Sequence, residues 1–479
     1  MSKHALRTTI VYLSLTIWFV VNVAFAQAQP TAEQAAKKLS PNEMPGKLFG
    51  LTIDESSLDE HTLKMDAPKL IENILSELRK IKAAQPNNNA LTVRIVLPIG
   101  CESGGDCDPS ETKLTNKLDK KYLDLIQQIK SEGLAFVMAE LVDSDIESST
   151  KCFTALDEAK SVAAYLERTK KMYEKLGKYV DIWEIGNEVN GDWFGGSVIG
   201  NVKNEKRRKI VVGQLKAAYD FLSAKKLEIE RNNQLLKKED KFPRTAITFY
   251  FNGDGKKRNS YENINDGMLR WIRGIGNHFI DKNNKKITFA NLDYLLVSYY
   301  PDDNFYEPNG DVSDYSIQIN LTPKEWVEIF DTIRTNYSSN TKFGLGEMGS
   351  QCYFPKKIIS NKPLNDCKTI RIDLLKNGRN PCDTYDAKGE IIETRKCPCC
   401  LTAQAKVMKE YYIELDKQIS DEMKTNNNFK NADRFIGGYF NWYYSVDVIN
   451  KMANGTSEDK LQAEKVRAAI IEAYKNFGK

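Results

Sequence analysis

The sequence of 479 residues predicts an α/β fold of the (β/α)8, or TIM, barrel class, with a cysteine-rich insertion after the seventh strand. Eight short runs of apolar, β-branched or aromatic residues recur along the chain, and stretches with helical periodicity separate them. The runs begin 44, 43, 45, 67, 46, 50 and 93 residues apart, which is a nearly regular period with two enlarged intervals. Strands that alternate with helices in this way are typical of a parallel sheet, most simply one closed into a ring.

The eight candidate strands begin at Lys47, Leu91, Leu134, Tyr179, Ala246, Leu292, Lys342 and Phe435. Helices are predicted over 67–83 and 117–131, where apolar side chains form a stripe along one face. The alternative of an open doubly wound sheet is disfavoured, because no Gly-rich phosphate-binding turn follows the first strand.

The first 26 residues have the pattern of a secretory signal peptide. Lys3 and Arg7 precede an apolar stretch over 10–23, and Ala24-Phe25-Ala26 matches a cleavage site. The stretch is shorter than the ~20 residues that a membrane span needs, which disfavours the alternative of an uncleaved anchor. We therefore expect a secreted, periplasmic or extracellular protein whose residues 27–479 form a single barrel, without stable insertion in a membrane.

The charge balance limits the classes of partner. Lys and Arg number 69 against 65 Asp and Glu, so the formal net charge is only +4. Nucleic-acid and membrane-surface proteins usually carry a clustered basic excess. We therefore expect no nucleic-acid partner and an uncharged ligand, while the sequence leaves the oligomeric state open.

The chain has nine cysteines, and export would favour disulfides over free thiols. Six of the nine fall in 349–401, the expected loop after strand seven, at positions 352, 367, 382, 397, 399 and 400. The spacing lacks the two-residue gaps of a zinc ribbon, so we expect disulfides and no metal site. Pairing cannot be deduced from the spacing.

Two glutamates fall where a barrel of this class carries its chemistry, at the C-terminal ends of the strands. Glu188 ends the fourth run, in Trp183-Glu184-Ile185-Gly186-Asn187-Glu188, and Glu347 ends the seventh, in a Gly-Leu-Gly-Glu-Met-Gly stretch. We expect strands four and seven to face each other across the ring and to direct both carboxyl groups into one crevice. Paired carboxylates of this kind suit glycoside hydrolysis, in which one protonates the leaving oxygen and the other is ionised.

These residues resemble the motifs of clan A glycoside hydrolases, a large retaining group built on this barrel. Asn187-Glu188 is similar to the clan's strand-four motif, which implies that Glu188 is the acid/base and that Asn187 binds the sugar 2-hydroxyl. Glu347 is similar to the strand-seven nucleophile. The resemblance extends over the whole barrel and implies cleavage of O-glycosidic bonds in a polysaccharide or oligosaccharide, without a cofactor.

Further residues match the clan's pattern around the nucleophile. Arg94 resembles the strand-two arginine that keeps the nucleophile ionised, although it could instead neutralise Glu184 inside the barrel. Tyr300 resembles the strand-six tyrosine that holds the nucleophile, and its neighbour Tyr299 competes for that role.

Two tryptophans are candidates for the sugar-binding surface. Trp442 follows the eighth strand and resembles the clan's residue beneath the sugar next to the cleaved bond, and Trp193 lies shortly after Glu188. An indole in such a loop can pack against sugar C–H groups, or it can simply pack in the core.

Other chemistries find little support in the sequence. The chain has only His4, His61 and His278, none at an identifiable strand end, and this excludes an imidazole metal cluster and a serine triad. The alternatives that remain are a secreted carbohydrate-binding protein without catalysis and an adhesion protein that uses the cysteine-rich loop.

Overall fold

The structure is a computed structural model that describes residues 46–85, 90–98, 118–142, 158–190, 202–231, 243–251, 268, 272, 289, 292–299, 323–348, 384–385, 391–393, 415–425, 434–441 and 444–477. Residues 41–479 form one compact unit. The signal over 1–26 and all nine cysteines lie outside the described residues, as does the predicted insertion over 349–401 except for two short antiparallel strands, Thr384–Tyr385 and Ile391–Glu393.

Eight parallel strands close into a ring, which confirms the predicted (β/α)8 barrel. They are β1 (Leu48–Ile53), β2 (Leu91–Val96), β3 (Phe136–Glu140), β4 (Ile182–Glu184), β5 (Arg244–Tyr250), β6 (Tyr294–Tyr299), β7 (Lys342–Met348) and β8 (Gly437–Asn441). Each strand pairs with its neighbours in chain order, and β8 closes the ring against β1. The fold that the resemblance to clan A implies is therefore present.

Helices surround the ring. The longer ones in the described part of the chain are α1 (Ala67–Ala84), α2 (Lys120–Ser131), α3 (Glu158–Leu176), α4 (Val202–Arg231), α5 (Pro323–Asn336), α6 (Asp416–Thr425) and α7 (Ser457–Asn476). Short helical segments are Glu55–Leu58, Glu60–Leu63, Ser445–Asn450 and Lys451–Asn454. No described helix combines the length and apolarity needed to cross a lipid bilayer.

Local sequence accounts for the helix starts. The side chain of Asp66 accepts a hydrogen bond from the backbone N–H of Lys69 and caps α1. Thr456 and Asp459 form a reciprocal capping box at the start of α7. The buried stripe predicted for the first helix is present, with Ile74 and Leu78 fully buried.

Among the strands, the largest boundary difference is at the fourth, which was predicted from Tyr179 and begins at Ile182. The backbone N–H groups of Tyr179 and Val180 both bond to the carbonyl of Leu176, so the C-terminal turn of α3 continues into these residues. The second predicted helix begins at Lys120 instead of 117.

Aspartates at the N-terminal end of the barrel fix the starts of two strands. Asp181, directly before β4, accepts from Lys130 Nζ at 2.6 Å and from the backbone N–H of Val137 in β3 at 2.8 Å. Asp293 repeats the arrangement before β6, where it accepts from Lys226 Nζ at 2.7 Å and from the backbone N–H of Thr245 in β5 at 2.9 Å. An aspartate that bonds to a lysine and to the backbone of the preceding strand therefore sets the register of β3 on β4 and of β5 on β6.

The interior of the barrel has two layers. Apolar side chains fill the N-terminal and middle levels as a cluster separate from the core between strands and helices: Leu48, Met138, Ile182, Ala246, Tyr294, Leu296, Ile436 and Phe440. Gly50 makes room for this packing, because a Cβ there would lie 2.5 Å from the ring of Phe440. Above these side chains, at the C-terminal ends of the strands, the interior becomes polar and charged.

Candidate active site

A single guanidinium group organises the polar level of the barrel. Arg94, on β2, is 1% exposed and directs each of its nitrogens at a different carboxylate. Nε lies 2.7 Å from Glu184 Oε2, Nη1 lies 2.9 Å from Glu347 Oε2, and Nη2 lies 2.8 Å from Glu140 Oε2. Burial by itself would lower the pKa of Arg94, but attraction to the three carboxylates raises it well above its ordinary value. The guanidinium therefore stays charged at any working pH.

Uncharged side chains complete the hydrogen bonding around these carboxylates. Asn187 Nδ2 donates to Glu347 Oε2 at 3.3 Å, so this oxygen accepts from both Asn187 and Arg94. The hydroxyl of Thr248, on β5, donates to Glu184 Oε1. These contacts fix the orientation of the Glu347 carboxyl group before any ligand is bound.

A β-bulge turns Glu347 into the barrel. Leu345 pairs with Val297 of β6, but Met348 pairs with Tyr299, so β7 has one more residue than β6 over this stretch. Leu345 belongs to the core between strands and helices, and strict alternation would send residue 347 to the same side. The extra residue reverses the alternation, and the backbone N–H of Glu347 then bonds to Ser298 Oγ at 3.2 Å.

Close packing requires glycine beside the nucleophile candidate. A Cβ on Gly346 would lie 2.7 Å from Thr248 Cγ2 and 3.3 Å from Leu296 Cβ. A larger residue would push β7 away from the level at which Glu347 meets Arg94.

The segment that carries Asn187 and Glu188 is a strained turn held against β5. Glu188 has φ +45°, in the left-handed region that costs a non-glycine residue about 1–3 kcal/mol. The backbone N–H of Thr248 bonds to the carbonyl of Gly186 at 2.9 Å, and the side chain of Asn190 bonds to both the N–H and the C=O of Tyr250. The surrounding bonds therefore impose this conformation, which leaves the Glu188 side chain only 6% exposed.

Helix α3 reaches the same end of the barrel with two buried side chains. Arg168 Nε donates to the carbonyl of Leu141 at 2.6 Å, and Nη2 donates to those of Leu97 and Pro98 at 3.2 and 3.1 Å. Within the described part of the chain no carboxylate lies within ion-pair distance of Arg168, and burial lowers its pKa to about 10. Tyr165 donates to the carbonyl of Ile185 at 2.6 Å. The helix thus fixes the backbone just beyond β2, β3 and β4.

The structure brings together three of the predicted site residues, Arg94, Asn187 and Glu347. Glu188 follows Asn187 directly in the chain and is buried, at 6% exposure. Tyr300, Trp442 and Trp193 lie outside the described residues. Arg94 contacts both of the carboxylates considered for it, Glu184 and Glu347, simultaneously.

The competing candidate Tyr299 packs into the core around the barrel. Its ring is 1% exposed and makes an edge contact with Trp326 of α5 at 5.2 Å and with Phe251 at 5.3 Å. Tyr299 therefore belongs to the core between strands and helices.

The expectation that strands four and seven stand opposite each other is wrong. β5 and β6 lie between them, so they are three positions apart in the ring of eight. Strands three positions apart are nearer to each other than opposite strands, and Glu347 on β7 contacts Asn187, just beyond β4, at 3.3 Å.

Glu140 and Thr248 are site residues that the sequence did not point out. Glu140 ends β3 and is fully buried, and its Cα is the direct partner of Glu184 on β4. A charged residue that ends an apolar run, beside a strand that carries Glu184 at its own end, was the available signal for Glu140. Thr248 has no such signal, because threonine is common in strands.

The chain is similar to several solved structures, but it matches no known protein family. The chain matches no protein-family model and no curated protein. It is similar to a β-glucosidase from Exiguobacterium marinum, with 14% identity over 84% of this chain and 90% of that one and a TM-score of 0.43. It is similar to a β-glycosidase from Pyrococcus horikoshii, with 12% identity over 91% of this chain and 99% of that one and a TM-score of 0.45. It is also similar to a family 1 β-glucosidase from Thermotoga maritima, with 12% identity over 84% of this chain and 89% of that one and a TM-score of 0.44. At these identities and TM-scores, a function has to be argued from the side chains themselves.

Replacing Tyr165 with Phe tests the role of α3. At pH 7 we expect the variant to be less stable by about 1–2 kcal/mol, because the Ile185 carbonyl loses its donor. Burial raises the pKa of Tyr165, with an opposing effect of Arg168 and a reinforcing one of Glu140 and Glu184.

The folded protein therefore keeps the Tyr165 proton while the unfolded chain loses it above pH ~10, and stability from this group declines as pH rises further. Urea unfolding at pH 7 and 10.5 should show the difference between wild type and Tyr165→Phe shrinking at the higher pH. A difference that is the same at both values would contradict this account.

Proposed function

We propose that the protein is an exported retaining glycoside hydrolase that cleaves O-glycosidic bonds in a polysaccharide or oligosaccharide without a cofactor. The observation that carries the proposal is the environment of Glu347. Its Oε2 atom accepts from Arg94 and Asn187, its side chain is 7% exposed, and Glu188 follows Asn187 directly in the chain. A buried carboxylate that is paired with a guanidinium and oriented by two donors in this way is suited to nucleophilic attack.

In the first step, Glu188 protonates the glycosidic oxygen while Glu347 Oε1 or Oε2 attacks the anomeric carbon. The bond to the leaving group breaks, and a covalent glycosyl ester of Glu347 forms. Burial of Glu188 and the negative charge of Glu347 favour the neutral form of Glu188 that this step requires.

In the second step, the ionised Glu188 takes a proton from water, whose oxygen attacks the anomeric carbon and releases Glu347. Two inversions give net retention, for which the two carboxyl groups should lie about 5–5.5 Å apart. Asn187, already beside the nucleophile, is placed to hydrogen-bond the sugar 2-hydroxyl as positive charge develops at the anomeric carbon.

Three residues outside the described part of the chain would complete the proposed site. Tyr300 would hold the nucleophile, and Trp442 and Trp193 would pack against the sugar. The signal pattern over 1–26 supports export, and in an oxidising compartment the cysteines of 349–401 would form disulfides that pin the loop after β7.

Replacing Glu347 with Ala tests the nucleophile. Screening wild type on a panel of aryl glycosides and polysaccharides identifies the substrate, and the variant should then lose roughly 10⁴-fold or more in kcat/KM. Added azide should restore turnover of an activated aryl glycoside, with a glycosyl azide of inverted configuration as the product, because a single displacement replaces two.

The matched control is Glu77→Ala. Glu77 is a buried glutamate of α1, paired with Lys80 and with Arg467 of α7, and its loss should lower stability but not turnover. Retention of substantial activity by Glu347→Ala without azide would exclude the nucleophile role.

Replacing Glu188 with Ala tests the acid/base. Substrates with poor leaving groups need protonation, so their turnover should fall by about 10²–10⁴-fold, whereas an aryl glycoside with an acidic phenol should lose much less in its first step. The measurement is kcat/KM across a series of phenols of graded acidity, for which the variant should show a much steeper dependence than wild type. Equal losses across the series would contradict the assignment.

A further inference from the structure

Glu140 and Glu184 have no part in the proposed chemistry, yet they occupy two of the three nitrogens of Arg94. They are 0% and 1% exposed, and β3 and β4 place their Cα atoms directly beside each other. Burial of carboxylates is costly unless they are paired, and a single positive charge here serves three of them. The presence of two further buried carboxylates beside Arg94 therefore needs an explanation.

Sharing one guanidinium has a direct consequence for Glu347. Each additional negative charge near a carboxylate disfavours its ionised form, and each additional partner of Arg94 takes up part of the attraction that Glu347 would otherwise receive. At the same time, contacts to Nε and Nη2 hold the guanidinium plane so that Nη1 meets Glu347 at 2.9 Å. The two glutamates thus fix the position of Arg94 and weaken the stabilisation that it gives to the ionised carboxylate of Glu347.

We propose that Glu140 and Glu184 are positioning residues that orient Arg94 toward Glu347 and, by sharing its charge, set the pH above which Glu347 is ionised and turnover begins. The inference rests on the proposed function for its kinetic meaning. Its structural content, that the ionisation of Glu347 depends on two buried glutamates on β3 and β4, can be tested without activity.

The other charged and titratable groups around the cluster are few in the described part of the chain. Glu188 follows β4, and Asp54 follows β1, where Ser56 donates to its carboxylate. Tyr165 faces Glu140 and Glu184 from α3 and stays neutral, since burial raises its pKa. Arg168, behind Tyr165, contacts backbone carbonyls.

From β5 and β6 the cluster meets only the hydroxyls of Thr248 and Ser298 among the contacts given above. Arg94 is therefore the positive charge that controls Glu347 within the described residues.

The kinetic test compares Glu140→Gln and Glu184→Gln with wild type by measuring kcat/KM against pH on the substrate found by screening. Glutamine keeps the shape, and the amide at position 184 can still bond Arg94 and Thr248. Each substitution removes a negative charge that competes with Glu347 for the attraction of Arg94. The ionised form of Glu347 is then favoured, so the acidic limb of the kcat/KM profile should move to lower pH by about 0.5–1 unit. KM should change little.

Glu77→Gln is the matched control, because it neutralises a buried, ion-paired glutamate remote from Arg94. It should lower the thermal midpoint of unfolding and leave the acidic limb in place. An acidic limb that stays fixed or moves to higher pH in both Glu140→Gln and Glu184→Gln would overturn the proposal.

The second measurement does not depend on turnover. Protein labelled with ¹³C at the glutamate side-chain carboxyl is titrated by NMR, and the Glu347 signal is assigned by its loss in Glu347→Gln. Its midpoint should fall in Glu140→Gln and Glu184→Gln and stay unchanged in Glu77→Gln. A shifted midpoint in a protein without glycosidase activity would refute the proposed function and uphold this inference, whereas an unshifted midpoint in an active enzyme would refute the inference alone.

Discussion

The candidate site depends on one buried guanidinium that pairs with carboxylates from three strands. Burying a charged group is costly unless opposite charges surround it, and each nitrogen of Arg94 has a carboxylate oxygen within ion-pair distance, from Glu140, Glu184 or Glu347. The arrangement requires a closed ring, because β2, β3, β4 and β7 must present their ends at one level. It also requires exact register, since a slip of one residue would turn any of these side chains toward the helices.

Several features of the backbone hold these side chains at one level of the barrel. The bulge in β7 turns Glu347 inward, Gly346 lets β7 approach β5 and β6, and the strained turn at Glu188 lies directly beyond Asn187. Helix α3 fixes the backbone beyond β2, β3 and β4 through Tyr165 and Arg168. The polar level is thus held by bonds to the backbone as well as by charge, and this rigidity orients the carboxyl groups without the help of a ligand.

The regular alternation of apolar runs was enough to predict the barrel, and the rule that barrel chemistry sits at strand ends led to Glu188 and Glu347. Arg94 was predicted from the resemblance to clan A, and its alternative partner Glu184 is buried at 2.7 Å from it. Two features could not be predicted: a bulge leaves no local signal and reverses parity at residue 347, and the reach of Arg168 from a helix into the loops depends on tertiary packing. The separation of β4 and β7 was misjudged although it was predictable, because a ring of eight strands in chain order already places them three positions apart. Tyr300, Trp193 and Trp442 lie outside the described residues, so their roles stay predictions.

The central claim is that Glu347 forms a covalent bond with the sugar during turnover. The most direct test is to incubate the protein with a 2-deoxy-2-fluoro glycoside that has an activated leaving group and the sugar identified by screening. Fluorine slows both steps, the good leaving group restores the first, and the intermediate therefore accumulates. Peptide mass spectrometry should find one fluoroglycosyl group, on Glu347. A label on another residue, or an active enzyme that hydrolyses its substrate with inversion and never acquires a label, would contradict the account.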